Sequence, residues 1–314
     1  MDNNATGGRP VGQASDHLAD LQDLVTSLGD RSRSPNTRRS YEGAWTRFER
    51  WAVGSGLMAL PARPETLALY VANLFAKGRR WATIEQAVVA ISQKHVDAGY
   101  ESPRNDRRVA RVLRGVRREV GREPIAKAPL LPAHVERLSG MIVDDERGRR
   151  DLALLAVGVA SGLRRAELAA LDVEDVEFAS DALTIVLRRS KTDAFGKGRS
   201  ITVGARGARR DCPVNALRAW LETAAHASGP LFRPVSRSGR ILQRRLDERT
   251  IARIVKARAH DLGFDETRFA GHSLRAGYAT AAASAGIAET RIMKTLGHST
   301  LLMTARYVRD VKAE

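Results

Sequence analysis

Cysteine is almost missing from this chain: Cys212 is the only one in 314 residues. A lone thiol excludes an intrachain disulfide and any cysteine cluster for zinc, and it fits a reducing, intracellular setting. Long hydrophobic runs are missing too. No stretch reaches the roughly 18 consecutive apolar residues of a membrane span. The opening MDNNATGGRPVGQAS has no apolar core of a signal peptide, so neither secretion nor membrane spanning is expected. Residues 1–15 read as a disordered arm. Acidic side chains are in the minority, 36 Asp and Glu against 52 Lys and Arg, which leaves a net charge of +16. That balance fits a polyanionic partner, nucleic acid before a membrane surface.

What is present is enough for two packed cores. The chain is 43% hydrophobic and long enough for about two domains of ordinary size. From Asp16 to Val120 the apolar spacing predicts successive helices over 16–28, 36–53, 64–76, 81–98 and 106–120. Ser34 with Pro35 supplies a cap and first turn, Gly54 and Gly56 close the second helix, and Pro61 and Pro64 flank the third. The segment GREPIAKAPLLP, residues 121–132, holds three prolines and reads as an interdomain linker. Beyond it helices are expected over 133–139 and 149–161 and through GLRRAELAAL. The period then changes: Leu183 to Leu187 and Ser200 to Val203 are β-branched runs separated by a longer loop, two strands of a hairpin. Helical patterns return over 214–225, 249–262, 273–285 and 288–295. The layout is an all-helical domain over 16–120, a linker over 121–132 and a helical domain with a small antiparallel sheet over 133–314.

The helix in RNDRRVARVLRGVRREV has two stripes. Arg104, Arg107, Arg111, Arg114 and Arg118 recur every three or four residues, opposite Val109, Val112, Leu113, Val116 and Val120. Aligned guanidinium groups repel one another unless an anion lies along them, and a phosphate backbone meets that need. Thr37, Arg38 and Arg39 near one helix start, and Thr83 with Gln86 near another, have the chemistry for groove contacts, since Gln reads adenine and Arg reads guanine.

Four separated segments of the second domain carry residues suited to phosphoryl transfer. SGLRRAEL presents Arg164, with Glu167 one turn on to pair with a neighbouring cation. RRSKTDAFGKGRS puts Lys191 at a strand end, with Lys197 in the same loop. GHSLR places His272 and Arg275 three residues apart, and LGHSTLLMTARY sets His298 nine residues before Tyr307. Singly, each has an ordinary structural explanation. Together, GLRxxEL, a hairpin lysine, HxLR and LGH followed by Tyr at nine residues form a specific combination that resembles the tyrosine recombinase, or phage integrase, family.

The resemblance implies that Arg164, Lys191, His272, Arg275, His298 and Tyr307 form the catalytic set, with Glu167 in support. It also implies that the first part of the chain, with TRRSYEGAWTRFERWAVGSG, is a core-binding domain in a Cre-like two-domain layout. There Arg38, Arg39, Thr83 and Gln86 would face a major groove, with Arg107, Arg111 and Arg114 on the DNA backbone. The implied reaction is strand cleavage and rejoining through a 3′-phosphotyrosine and a Holliday junction, by a homotetramer on double-stranded DNA with inverted-repeat sites, in a prokaryotic cytoplasm at the nucleoid or on a mobile element. Tyr307 would be the nucleophile, His272 the base and Lys191, preferred over Lys197, the acid. His298 would hydrogen-bond a nonbridging oxygen. Two arginine forks match the charge and shape of a phosphate, where a metal-dependent nuclease needs clustered carboxylates, so no metal and no other cofactor is expected. Type IB topoisomerase chemistry and a noncatalytic DNA-binding role are the alternatives. Only seven residues, VRDVKAE, follow Tyr307, which leaves subunit assembly through a C-terminal segment open.

Overall fold

The computed structural model describes residues 17, 20–25, 27–29, 34–121, 127–188, 198–305 and 307. Its contacts divide the chain into two compact units, Met1–Ile125 and Ala126–Glu314. In the first unit the arm expected over 1–15 lies outside the described residues, 20–25 and 27–29 are helical, and after them, among the described residues, come α1 (Pro35–Gly54), α2 (Pro64–Ala76), α3 (Trp81–Asp97) and α4 (Arg107–Val120). Ser34 caps α1 by accepting the Thr37 backbone N–H at 3.2 Å, and Pro35 sits in the first turn, where its missing N–H leaves nothing unpaired. Trp45, Phe48, Leu67, Val71, Ile84, Val88, Ile91 and Val109 form the core. The polar stripe of α4 stays outside, because its apolar residues Val109 and Val116 take the buried positions.

The second unit is built round one nearly all-buried helix. Its elements are α5 (Pro132–Met141), α6 (Glu146–Ser161), α7 (Arg165–Ala170), β1 (Val176–Phe178), β2 (Ala182–Leu187), β3 (Arg199–Gly204), α8 (Pro213–Ala224), α9 (Glu248–Asp261), α10 (His272–Ser284), α11 (Glu289–Leu296) and α12 (Leu301–Ala305). Most residues of α6 are buried, as a helix must be when other helices cover it on every side. At Gly158 a side chain would collide with Leu274 of α10, so glycine sets how closely α6 and α10 approach. The three strands form one antiparallel sheet in the order β1-β2-β3. Leu183, Ile185 and Leu187 of β2 face Val203, Ile201 and Arg199 of β3 on the buried side. The expected hairpin is present, and β1 is an addition: VEF is too short to reveal a period of two.

Of the stretch read as linker, 121–132, residues 122–126 lie outside the described residues, the two units divide within it, and its far end belongs to the second unit. Ala128 and Leu130 are buried in the core of the second unit, and the Leu130 N–H donates to the Ser273 carbonyl at 2.9 Å. A Cβ at Gly277 would overlap the Leu130 carbonyl, so α10 lies directly on this extended segment. Among the described residues no helix is long and apolar enough to cross a membrane.

Candidate active site

The end of α11 organises the site. The last carbonyls of a helix have no partner within it and carry the negative end of its dipole. Here the three carbonyls of Thr295, Leu296 and Gly297 are taken by three different arginines. Arg199 Nη1 donates to the Thr295 carbonyl at 2.8 Å, Arg275 Nη2 to that of Leu296 at 2.6 Å, and Arg164 Nη2 to that of Gly297 at 3.2 Å. Gly297 adopts the left-handed conformation that closes the helix, with φ 61°, and His298 follows directly.

Each arginine comes from a different element. Arg164 caps α7, where its backbone N–H donates to Glu167 Oε2 at 2.9 Å and its Nη1 to Oε1 at 2.7 Å. Arg275, on α10, is 2% exposed and its second Nη donates to the Gly162 carbonyl at 2.9 Å. Gly162 itself is left-handed, ending α6 with φ 64°, and a side chain there would strike Leu296 and Tyr278. Arg199 opens β3 and its Nη2 donates to Glu167 Oε2 at 3.0 Å. One carboxylate thus serves two guanidinium groups.

His298 and Tyr307 sit against this cluster. The His298 ring is buried, its Nδ1 shares a hydrogen bond with Thr304 Oγ1 at 2.9 Å, and it stacks on the Tyr307 ring with centroids 5.2 Å apart and 25° between planes. The Arg275 guanidinium carbon lies 5.7 Å from the Tyr307 ring centroid. Thr280 Oγ1 donates to the Tyr307 carbonyl at 3.1 Å. Tyr307 is therefore held beside the arginines by residues of its own chain, through a stacked ring, a cation and a backbone anchor.

The electrostatics report an excess of positive charge. Burial pushes the Arg275 guanidinium down from its ordinary value, and the neighbouring Arg164 adds to this. Burial likewise lowers Arg199, against the pull of Glu167. For Glu167 burial alone would raise the carboxyl, but the Arg164 N–H and the Arg199 and Arg164 cations together hold it below its usual range. Burial first, then Arg275, Arg164 and Arg199, bring His298 down to about 4. His272, exposed at the first residue of α10, is lowered by desolvation and by Arg165, Arg275 and Arg164. Both histidines are therefore neutral at neutral pH. With three guanidinium groups round one carboxylate, the cluster is short of an anion.

Of the residues expected from sequence, Arg164, Glu167, Arg275, His298 and Tyr307 come together here. His272 lies one helical turn before Arg275, on the solvent side where Arg275 is buried. Lys191 and its rival Lys197 lie outside the described residues. In the first unit Arg38, Arg39, Thr83, Gln86, Arg107, Arg111 and Arg114 are all exposed, and Gln86 Nε2 donates to Ser40 Oγ, which brings the start of α3 beside the start of α1. Among the described residues no group of three or more His, Cys, Asp or Glu is placed to hold a metal ion.

Arg199, Thr304 and Thr280 were not anticipated. Arg199 had a readable signal: in the alternation of β3 it shares the inward side with Ile201 and Val203, and a charge on an inward position needs a buried partner. The two threonines act through contacts that no sequence spacing announces.

Comparison with known proteins places this geometry in context. The model of the phage integrase family matches residues 129–314. An integrase/recombinase XerD homolog from Selenomonas ruminantium is 35% identical over 286 residues, covering 90% of this chain and 83% of that protein. The recombinase Cre of Escherichia phage P1 is 24% identical, covering 97% and 92%. Among solved structures, the Tn1549 transposon integrase in complex with transposon right end DNA superposes with a TM-score of 0.58 at 18% identity, covering 92% of this chain and 94% of that one. That likeness shows the fold.

Proposed function

The chain belongs to the phage integrase family and is a site-specific tyrosine recombinase, and from that premise we propose how its residues carry out the reaction. The observation that carries the reading is the cluster of Arg164, Arg199 and Arg275 round the single carboxylate of Glu167, with Tyr307 stacked on His298 beside it. A phosphodiester supplies the missing negative charge. Its transition state puts more charge on the nonbridging oxygens, which prearranged guanidinium donors stabilise without a metal.

Tyr307 Oη attacks phosphorus, a Tyr–O–P bond forms, and the bond from phosphorus to the 5′ oxygen breaks. His272, kept neutral, takes the tyrosine proton. Lys191 gives a proton to the departing 5′ oxygen. Because His298 Nδ1 is engaged with Thr304, Nε2 is the nitrogen left to donate to a nonbridging oxygen. The products are a 3′-phosphotyrosine and a free 5′-hydroxyl, and since the ester is retained, a second 5′-hydroxyl reverses the step without ATP. Exchange of strands in this way passes through a Holliday junction between two duplexes, held by a homotetramer on inverted-repeat sites. The first unit binds the duplex through Arg107, Arg111 and Arg114 on the backbone and Arg38, Arg39, Thr83 and Gln86 in a groove. The setting is the cytoplasm of a prokaryote, at the nucleoid.

The test uses nicked duplexes tiled across the DNA that flanks the gene. Wild-type protein is expected to give a covalent adduct on a denaturing gel that persists in EDTA, and Tyr307→Phe none, a loss of at least about 10⁴-fold with DNA affinity unchanged. An adduct of equal yield from Tyr307→Phe overturns the nucleophile assignment, and abolition by EDTA with rescue by Mg²⁺ overturns the arginine clamp.

A further inference from the structure

Arg199 is the one arginine of the cluster outside the set that the motifs single out, and its chemistry differs from that of the other two. Its Nη1 is committed to the Thr295 carbonyl and its Nη2 to Glu167, while its Nε is buried without a hydrogen-bond partner. With 17% of its side chain exposed, it faces protein. A Cβ on Gly297 would overlap Arg199 Nη1, so the turn before His298 is shaped around this guanidinium. We propose that Arg199 is a positioning residue for strand cleavage: it locks the end of α11, and with it His298 and Tyr307, to the Glu167 carboxylate that orients Arg164.

The closed path of bonds supports this. Arg199 joins Thr295 to Glu167, Glu167 holds Arg164, and Arg164 returns to Gly297, two residues from where the path began. Breaking the Arg199 link leaves the α11 end tied to the α7 cap by Arg164 alone, free to pivot on that bond, and misplacement of a reacting group by about 1 Å lowers a rate about 10²-fold. Lysine at 199 keeps the charge, yet it lacks the planar fork that reaches two acceptors at a fixed angle. A charge-only role and an orienting role are separated by that substitution.

The inference rests on the recombinase reading above, and the experiment tells the two failures apart. On a nicked duplex where wild type forms the Tyr307 adduct, single-turnover cleavage at saturating DNA is measured for Arg199→Lys, Arg199→Met, Glu167→Gln and the Arg199→Lys/Glu167→Gln double variant, with DNA Kd and thermal midpoint for each. The expected result is a 10- to 100-fold slower cleavage for Arg199→Lys with Kd within about threefold of wild type. The double variant is expected to be no more than about threefold slower than its worse parent, because both changes break one path. A wild type without adduct fails the recombinase reading. With wild type active, an Arg199→Lys rate within twofold of it, or a loss confined to Kd, overturns the positioning role. Additive losses in the double variant overturn the shared path. If Arg199→Met melts early, Arg199→Lys with an unchanged midpoint decides the matter.

Discussion

The arginines of the two units stand in opposite environments. Those of α4, Arg107, Arg111 and Arg114, are exposed along one face of a helix whose other face fills the core. Those of the second unit, Arg164, Arg199 and Arg275, are half-buried or buried, and their forks are set by carbonyls and one carboxylate. An exposed guanidinium contributes attraction that salt screens and that tolerates movement. A buried one is expensive to desolvate, so it persists only where acceptors fix it, and the fixing is what orients it toward a substrate. On the proposed reading, one residue type supplies affinity in the first unit and geometry in the second.

The comparison breaks most visibly at Arg275. Its two Nη groups bond the Gly162 and Leu296 carbonyls, ends of two different helices. An ammonium in Arg275→Lys reaches one of them and leaves the other carbonyl buried without a donor, at about 1–3 kcal/mol. Adduct formation is expected to drop by about 10³-fold or more and the unfolding free energy by about 2 kcal/mol, while DNA affinity stays within a few fold. Cleavage within tenfold of wild type would mean that charge alone suffices there, as on the exposed face of α4.

A second test uses protons. Native His298 titrates at about 4, whereas an unfolded histidine titrates near 6.5. As pH falls below about 6.5 the unfolded chain gains a proton that the native site refuses, so stability is lost with falling pH through that window, about 1.4 kcal/mol per unit for this one group. From pH 6.5 to pH 5 that amounts to about 2 kcal/mol. His272 is lowered as well and acts in the same direction, and its protonation removes the proposed base, so cleavage also declines on the acid side. Urea unfolding of wild type and His298→Gln at pH 5, 6 and 7 checks this: the variant is expected to lose at least half of the slope, and an unchanged slope would locate the pH dependence elsewhere.

Much of this was legible in the sequence because caps and spacing are local. Ser34 with Pro35, and Pro64, mark helix starts that the structure keeps, whereas Pro132, read as the end of the linker, opens α5. Arg164 with Glu167 and His272 with Arg275 are three residues apart, one turn, so local spacing pairs them, whereas His298 and Tyr307, nine residues apart, are joined by the motif and not by a shared turn. What escaped was nonlocal. Leu130 reads as linker by its neighbouring prolines, yet its N–H finds Ser273 and its side chain finds the core. Nothing in the sequence joins Thr304 to His298 or Thr280 to Tyr307. Arg199 lay between these extremes, since its inward side was readable from the alternation of β3, but its partners Thr295 and Glu167 belong to elements 96 and 32 residues away.

The smallest expected effects lie on α4, and they sharpen the contrast. If each exposed arginine there neutralises one phosphate, removing it releases fewer counterions on binding, and the slope of log affinity against log salt falls by about 0.9 per contact. Arg111→Gln with Arg114→Gln is expected to weaken DNA binding about tenfold at 0.15 M salt and to flatten that slope by about 2, with cleavage at saturating DNA unchanged within twofold. Arg108 is the internal control: it too is exposed, but it is already engaged with Glu65 and Asp106, so Arg108→Gln should leave the slope nearly as it was. A slope that ignores Arg111 and Arg114 would make this stripe an ordinary solvated face. A cleavage rate that falls along with the affinity would show that the exposed arginines also orient the scissile strand, and the division between affinity and geometry would no longer follow burial.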